Sequence, residues 1–530
     1  MKVQLQPRSW LYLAVLILLI PALLINLGLL TFIDDEAIRS LVALEMKLSG
    51  NVVVPTMHGA FYYNKPPLYN WILLLFFQLS GQVNEWSARV PTVLCLLGYG
   101  TTLFYFFRRH YGPRIALLNA LVLITCGRIL FWDSMLGLID ICFSWVVFTN
   151  FMVIYHLGEK KRFLSLFLWS YLLTATGFLL KGLPALVFQA VTLLVYFLHI
   201  RQFWKLVSWR HISGILLLAI TTGLYYYAYS RYNDLEVLFK TLFSESSKRT
   251  VVRFGWKETI WHFLSFPLEM VYHFLPWSLM IIYFFHRKVY SWIRKDPFIF
   301  FNLIAFLANI LVYWTSPEVY PRYLLMLAPL IFSSFIYLHQ IHESQKSWQF
   351  QLLDKLFLCI ALLLPVVSLL PVFLERTRSV PFLGLKTGVL FIGFSVLAYL
   401  YLRMKTERIA LVVAMLVVGR IAFDWFVLPD RNREDFGDQC RQTSIDAGKR
   451  FADYPFYVYD QTAMQPTNSF YLTQSRGKII PRISEQKLPE GYYIVNPDQY
   501  PAFPMEKAGE IKVRHGRLTF DIGKLISTSE

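Results

Sequence analysis

The chain has 530 residues, of which 56% are hydrophobic and 17% aromatic against only 16% charged. That balance excludes an ordinary soluble globule and a disordered polar chain, and leaves an α-helical polytopic membrane protein. The formal net charge of +17 would suit an acidic partner, but the basic residues sit in alternate connections between apolar runs, so the charge reads as membrane topology and no nucleic acid is required.

In chain order, apolar windows long enough to cross about 30 Å of hydrocarbon as helix fall at 10–31, 88–107, 114–132, 140–157, 163–180, 183–199 and 212–230. They continue at 267–285, 298–314, 321–338, 353–373, 383–402 and 408–427, roughly thirteen spans by the length criterion. The first is too long for a signal peptide, and no small-residue cleavage site follows it, so it is expected to remain as an anchor. Positive charge recurs at Lys2 and Arg8, Arg108 and Arg109, Lys160 to Arg162, Arg201 to Arg210, Arg287 to Lys295, Lys346 and Lys355, and Arg403 to Arg408. Cytoplasmic loops hold such an excess, which puts the N-terminus inside and the loops 32–87 and 231–265 and the tail 428–530 on the extracytoplasmic side. Those outer loops lack an Asn-x-Ser/Thr sequon, in keeping with a bacterial inner membrane. Cys95, Cys126, Cys142 and Cys359 lie within spans and Cys440 stands alone in the tail, without the spacing of a disulfide framework or a metal site. The chain divides into a membrane domain, 1–427, and a small α/β domain, 428–530, whose short runs FYVYD, SFYLTQ and GYYIVN alternate like strands between turns.

The first outer loop opens with Asp34, Asp35 and Glu36. From Asp35 to Leu48 the apolar residues Ile38, Leu41, Val42 and Met46 follow a helical period, which predicts an amphipathic helix lying at the membrane surface and ended by Ser49, Gly50 and Asn51. Acids at such a start also cap free amides and meet the positive end of the dipole, so capping alone accounts for them taken singly.

Further residues along the chain accompany them: Glu45-Met46, Ser49-Gly50, Pro55, Gly59, Tyr63, Lys65-Pro66-Pro67-Leu68 and Trp71, then Ala88-Arg89-Val90-Pro91, Arg128 five residues before Asp133, Lys181-Gly182, Leu275-Pro276-Trp277, and Arg322-Tyr323-Leu324 after Ser316-Pro317. In this order, over most of residues 30 to 330, the chain resembles the polyprenol-phosphate-sugar-dependent glycosyltransferases, which include the protein O-mannosyltransferases and the bacterial lipid A aminoarabinose transferase. The resemblance implies a GT-C membrane fold and transfer of a sugar, with inversion, from a polyprenyl-phosphate carrier to an envelope acceptor on the outer face: lipid A, another glycolipid or a protein. It also implies a catalytic acid in the first outer loop, which maps onto Asp35 with Glu36 beside it. One departure is visible. Aminoarabinose transferases usually carry an arginine three residues after that aspartate, where this chain has Ile38 and places Arg39 one later, so their acceptor specificity does not transfer with the motif.

The residue chemistry agrees. Glycosyl transfer to a hydroxyl needs a base, and the departing phosphate needs cations. Lys65, Arg89, Lys181, Arg249, Arg253 and Arg322 are expected near the outer face, where basic residues are disfavoured unless something such as a lipid phosphate holds them; snorkelling to headgroups or pairing with outer acids is the plainer explanation of any one of them. A second acid is expected near the end of the third span, and both Asp133 and Asp140 meet the requirement. Tyr63, Glu269 and His273 are further cavity candidates. Glu269 and His273 share a helix face and with His262 could suggest a divalent metal, but no HExxH pattern or three-ligand set is present, so no cofactor is expected. Arg420 and Asp424, four apart, read as an internal ion pair. A transporter or flippase for a lipid-linked or small polar substrate is the competing class; midplane sites on broken helices and a duplicated topology, which that class favours, are not evident.

Overall fold

The computed structural model describes residues 9–33, 35–247, 256–316, 318–434, 437–484, 488–514 and 516–526. Asp34, Arg249, Arg253 and Pro317 lie outside them. Among the described residues eight helices are long and apolar enough to span a membrane, and three shorter apolar helices accompany them. This is the expected multi-pass α-helical architecture, although several of the thirteen windows take other forms.

The first helices are α1 (Ser9–Leu24), α2 (Asp35–Ser49), α3 (Leu68–Ser80) and α4 (Glu85–Ile124). Helix α4 joins two expected spans across a sharp bend at Gly112, whose φ of 75° lies in the left-handed region and is followed by Pro113; only glycine takes that conformation readily, and proline cannot continue the ladder. Its start is fixed by a reciprocal cap in which Asn84 and Ser87 satisfy each other's backbone amides. The third window stops being one helix after Ile124. It continues as the short α5 (Gly127–Phe131) and a 3-10 turn at Asp133–Met135 before α6 (Ile139–Glu159).

Next come α7 (Phe163–Lys181), α8 (Pro184–His199), α9 (Trp209–Tyr229), α10 (Leu235–Ser247) and α11 (Trp256–His273). The window 267–285 is split, because α11 ends before Pro276 and the chain resumes as a 3-10 helix, Trp277–Phe284. The bundle closes with α12 (Pro297–Trp314), a 3-10 turn at Pro321–Leu324, α13 (Ala328–Ser344), α14 (Trp348–Val367), α15 (Leu383–Arg403) and α16 (Arg408–Ala422). A π-helical turn, Phe423–Val427, follows α16, and within it Asp424 meets Arg420 at 2.7 Å with both side chains fully buried.

The tail folds as expected into a small α/β unit. It contains α17 (Gly437–Arg450), α18 (Pro466–Arg476) and a five-stranded sheet. The strands are β3 (Phe456–Tyr459), β4 (Arg482–Ile483), β5 (Tyr492–Val495), β6 (Met505–Val513) and β7 (Leu518–Leu525), after a two-stranded hairpin β1 (Thr56–Met57) and β2 (Ala60–Phe61) in the first loop. Sheet order is β4-β3-β5-β7-β6, with β3 parallel to β4 and β5 and the remaining pairs antiparallel. Phe456, Val458, Ile494, Ile511, Val513, Phe520 and Ile522 form its core.

Two sequence expectations about the first loop are corrected. Residues 68–80, read as loop, form the apolar helix α3; at 13 residues it is too short for the span criterion, and it buries Tyr69, Leu73 and Phe77 against the bundle. Helix α2 has the expected bounds but does not rest at a surface with its polar side in water. Glu36, Arg39, Ser40 and Glu45 are as buried as Leu41, Val42 and Met46, because α3 covers one side and α18 of the tail domain covers another. Glu45 accepts from the Thr56 hydroxyl (2.9 Å) and from the amides of His58 (2.7 Å) and Gly59 (3.1 Å), which ties the hairpin to the helix.

Glu36 and Arg89 form the brace of this region. Glu36 takes Arg89 Nε at 3.1 Å and Nη2 at 2.7 Å, and also the amides of Ile33 (2.7 Å) and Gly137 (2.6 Å). Arg89 gives its remaining N–H groups to the carbonyls of Leu27 (2.8 Å), Leu30 (2.9 Å) and Thr31 (3.0 Å). One pair thus joins the end of the first span, α2, α4 and the loop before α6. Gly137 permits the approach, since a Cβ there would lie 2.9 Å from the Ala88 carbonyl.

The tail domain docks partly through His58. Its Nδ1 faces the Ile480 carbonyl at 3.2 Å, so that nitrogen carries the proton, and its Nε2 lies 3.0 Å from the Ser469 hydroxyl. Burial, with Arg482 adding repulsion, lowers the imidazole from 6.5 to about 4.

Glu36→Ala leaves a buried guanidinium without its counterion and should cost about 3–5 kcal/mol of stability, read as a lowered melting temperature of the detergent-solubilised protein; Glu36→Gln, which keeps the volume and one of the two accepting oxygens, should lose less. For His58, the unfolded chain binds its proton near 6.5 while the folded chain resists it to about 4. Its contribution is therefore complete above 6.5 and declines as pH falls towards 4, by on the order of 3 kcal/mol. Melting curves across that window should show the decline, and His58→Gln should flatten it.

Candidate active site

Four charged side chains from four separate segments meet at the end of the bundle that carries the tail domain. Asp35 is the first residue of α2, Asp140 the second of α6, Lys181 the last of α7, and Arg322 sits in the 3-10 turn Pro321–Leu324. Arg322 Nη2 donates to Asp35 Oδ2 at 3.1 Å, its Nε lies 3.6 Å from Asp140 Oδ2, and Asp140 Oδ1 receives Lys181 Nζ at 2.5 Å. The signs alternate along this chain, as charges withdrawn from water in an apolar bundle must.

Local sequence explains each placement. Helix α7 stops at Lys181 because Gly182 takes a φ of 84°, which leaves the ammonium at the helix end. Asp140 lies in the first turn of α6, where a carboxylate meets free amides and the positive end of the dipole. Aromatic rings complete the pocket: the ammonium of Lys181 stands 4.0 Å from the centre of the Tyr323 ring, and the Arg322 guanidinium 4.8 Å from that of Tyr320. Tyr323 is a member that no charge-based reading of the sequence would single out; its position directly after Arg322 is the signal that was available.

Exposure distinguishes the four. The side chains of Asp140 and Lys181 are each 6% exposed and that of Arg322 is 4%, whereas that of Asp35 is 51% exposed. The chain of charges therefore runs from a buried interior pair to one open carboxylate.

Asp133 belongs to an adjoining pair. Arg128 Nε donates to its Oδ2 at 3.0 Å, and it senses Asp140 and Arg322 through space. Burial raises its carboxyl from 3.8 to about 6, with the pull of Arg128 opposing the rise. The sequence left Asp133 and Asp140 as equal candidates; Asp140 is the one in contact with Lys181 and Arg322, and Asp133 stands behind it with Arg128.

The other expected members have settings of their own. Glu36 and Arg89, expected in the site, are bound to each other: all five N–H groups of Arg89 are taken up by Glu36 and three carbonyls. Lys65 is half-buried in the turn that leads through two prolines into α3. The Tyr63 hydroxyl accepts from Asn233 at 3.1 Å, beside a cluster of Val54, Tyr226, Tyr229 and Leu238. His273 is within electrostatic reach of Arg128 and Glu269, while His262 turns away to the Tyr313 carbonyl at 3.4 Å. Among the described residues no group of three His, Cys, Asp or Glu side chains is placed to hold a metal ion.

An apolar groove of about 410 Å³ runs beside the charged cluster, between α11 with its following 3-10 helix and α12 and α13. Phe266, Phe274, Phe306, Trp314 and Phe335 line it, together with Leu324, two residues beyond Arg322. Concave sites of this composition suit apolar ligands.

Comparison with known proteins places this geometry. Residues 64–227 match the family described as dolichyl-phosphate-mannose-protein mannosyltransferase. An uncharacterized protein of Aquifex aeolicus is 26% identical over 233 residues, 42% of this chain and 46% of its own length. The undecaprenyl phosphate-alpha-4-amino-4-deoxy-L-arabinose arabinosyl transferase 1 of Pseudomonas fluorescens is 27% identical over 189 residues, 35% of this chain and 33% of that one. The matches thus span less than half the length of these relatives. In three dimensions the likeness extends over nearly everything: the crystal structure of ArnT from Cupriavidus metallidurans bound to undecaprenyl phosphate superposes with a TM-score of 0.71 at 18% identity, over 98% of this chain and 99% of that one. Its apo form gives 0.67 at 17% identity, over 97% of each. The chain has the ArnT fold, a GT-C membrane bundle with a small C-terminal sheet domain, and resembles in sequence the mannosyltransferases and aminoarabinose transferases that use polyprenol-phosphate sugars.

Proposed function

We propose that this protein is an inverting glycosyltransferase of a bacterial inner membrane, which moves a pentosyl or hexosyl group from a polyprenyl-phosphate carrier to an envelope acceptor on the extracytoplasmic face. The observation that carries the reading is the half-exposed Asp35, held by Arg322 at the open end of an otherwise buried chain of charges. The alternation of basic loops along the sequence supports an inside N-terminus and an outside tail domain.

The carrier's prenyl tail lies in the groove lined by Phe266, Phe306 and Trp314, whose inner wall reaches Leu324 beside the cationic cluster. Its phosphate lies near Lys65, Lys181 and Arg322. Arg322 is suited to the task because a guanidinium can hold a carboxylate and a phosphate oxygen together, while Lys181 acts as a point charge steadied by Asp140 and the Tyr323 ring.

The reaction is one displacement. An acceptor oxygen forms a bond to the anomeric carbon on the face opposite the phosphate, the bond from that carbon to the phosphate oxygen breaks, and its electron pair leaves on polyprenyl phosphate. A hydroxyl acceptor gives its proton to Asp35 as the new bond forms; a phosphate acceptor arrives ionised, and Asp35 then orients the acceptor or the sugar. Cations at the leaving oxygen favour the transition state over the bound donor, since negative charge grows there as the bond breaks. The names of the relatives favour an undecaprenyl carrier.

Purified protein offered a panel of polyprenyl-phosphate sugars with envelope lipid extract should release carrier and add one sugar mass to an acceptor. Asp35→Asn should lower kcat by roughly 10²- to 10⁴-fold with donor binding kept within a few fold; full activity in that variant removes Asp35 from the mechanism. Absence of turnover with every donor, together with substrate-dependent flux into vesicles, would instead favour a transporter. Replacing Lys65 by alanine should raise the donor KM more than it lowers kcat.

A further inference from the structure

Asp35 begins a helix whose first residues are anchored from two sides. The membrane domain holds Glu36 through Arg89 and Gly137. The second anchor comes from the tail domain and acts on Phe32, three residues before Asp35. The Phe32 ring meets Phe470 edge-on at 4.7 Å and lies 6.1 Å from Tyr471, with the Arg89 guanidinium 5.7 Å from its centre. Its backbone is held as well: the amide donates to the Tyr471 hydroxyl at 3.4 Å, and the carbonyl accepts from the Thr467 hydroxyl at 3.3 Å.

The clamp is itself tied back to the membrane domain. The Tyr471 hydroxyl donates to Glu85 at 2.5 Å, and Glu85 also meets Arg441 of α17 at 3.1 Å. Phe470 and Tyr471 are almost fully buried, so α18 is fixed where it touches Phe32. Three residues of chain reach at most about 10 Å, and the Ile33 amide is already bonded to Glu36 at 2.7 Å. A shift of Phe32 therefore passes to the start of α2.

We propose that α18 of the tail domain is part of the catalytic apparatus, with Phe470 and Tyr471 as positioning residues that set Asp35 against Arg322 through Phe32. This rests on the reading of Asp35 given under the proposed function. It assigns the tail domain a mechanical task at the reacting centre, beyond covering the first loop. Displacement of a reacting group by about 1 Å can cost as much as a hundredfold in rate, whereas loosening a docked domain without moving the group lowers stability only.

The test uses the full chain with Phe470→Ala, Phe470→Met, Tyr471→Phe and Asp35→Asn, and reads kcat, donor KM and melting temperature. Phe470→Ala should lower kcat by roughly ten- to a hundredfold with donor KM kept within about twofold, and Phe470→Met, which refills the volume, should restore most of it. Tyr471→Phe removes a single oxygen and should lower kcat by several fold; it keeps the test open if Phe470→Ala does not fold. Combined with Asp35→Asn, neither change should lower the residual rate further. Wild-type kcat in Phe470→Ala and Tyr471→Phe at a lowered melting temperature, alongside an inactive Asp35→Asn, overturns the positioning role while the reading of Asp35 stands. Losses that multiply with Asp35→Asn also overturn it. A fully active Asp35→Asn overturns the parent reading instead.

Discussion

A single guanidinium, that of Arg322, holds the first loop to the membrane bundle at the point where chemistry is proposed. It lies between Asp35 and Asp140, and Asp140 in turn holds Lys181. Lys181, Asp140 and Arg322 are buried and would each be prohibitive alone in an apolar interior, so removing one partner strands the next. The alternation explains why four segments distant in sequence converge: α2, α6, α7 and the turn at Pro321–Leu324 each bring one sign to a place where only pairs are tolerated. A carrier phosphate entering such a cluster meets cations already oriented by neighbouring acids, so little reorganisation is left for the moment of reaction.

The neighbouring brace of Glu36 and Arg89 shows the same constraint put to a different use. Two acids adjacent in sequence, Asp35 and Glu36, have opposite fates. Glu36 faces inward, takes four donors and fixes the backbone; Asp35 faces outward and keeps half its side chain open. One residue of helical rotation separates a structural carboxylate from the one proposed to react. The tail domain adds to this division by packing α18 against α2 and Phe32, which seals the polar side of a helix that its own sequence would leave in water.

Much was legible in the primary structure because it depends on local composition. Spans such as Ile139–Glu159, Phe163–Lys181 and Leu383–Arg403 match the apolar windows closely, since a lipid environment imposes the same length and polarity on every helix that crosses it. The bounds of α2 and the α/β character of the tail followed from periodicity. Helix α3 did not, because thirteen residues fall below the span criterion and its burial comes from α2 and α4. The split of window 267–285 follows from backbone chemistry at Pro276, which a hydropathy window averages away.

The sequence by itself determined a polytopic helical membrane protein, the presence of Asp35, Lys181 and Arg322 as chemically capable residues, and a resemblance to lipid-phosphate-sugar transferases. Only the tertiary structure put Asp140, and not Asp133, against Lys181 and Arg322, turned Arg89 towards Glu36 and three carbonyls, set the Tyr323 ring beside the Lys181 ammonium, and brought Phe470 and Tyr471 to the loop that carries Asp35. The physical reason is that spans, caps and turns are set by near neighbours in sequence. Whether a buried charge is reactive or structural depends on which opposite charge reaches it, and those partners come from distant segments, 287 residues apart for Asp35 and Arg322.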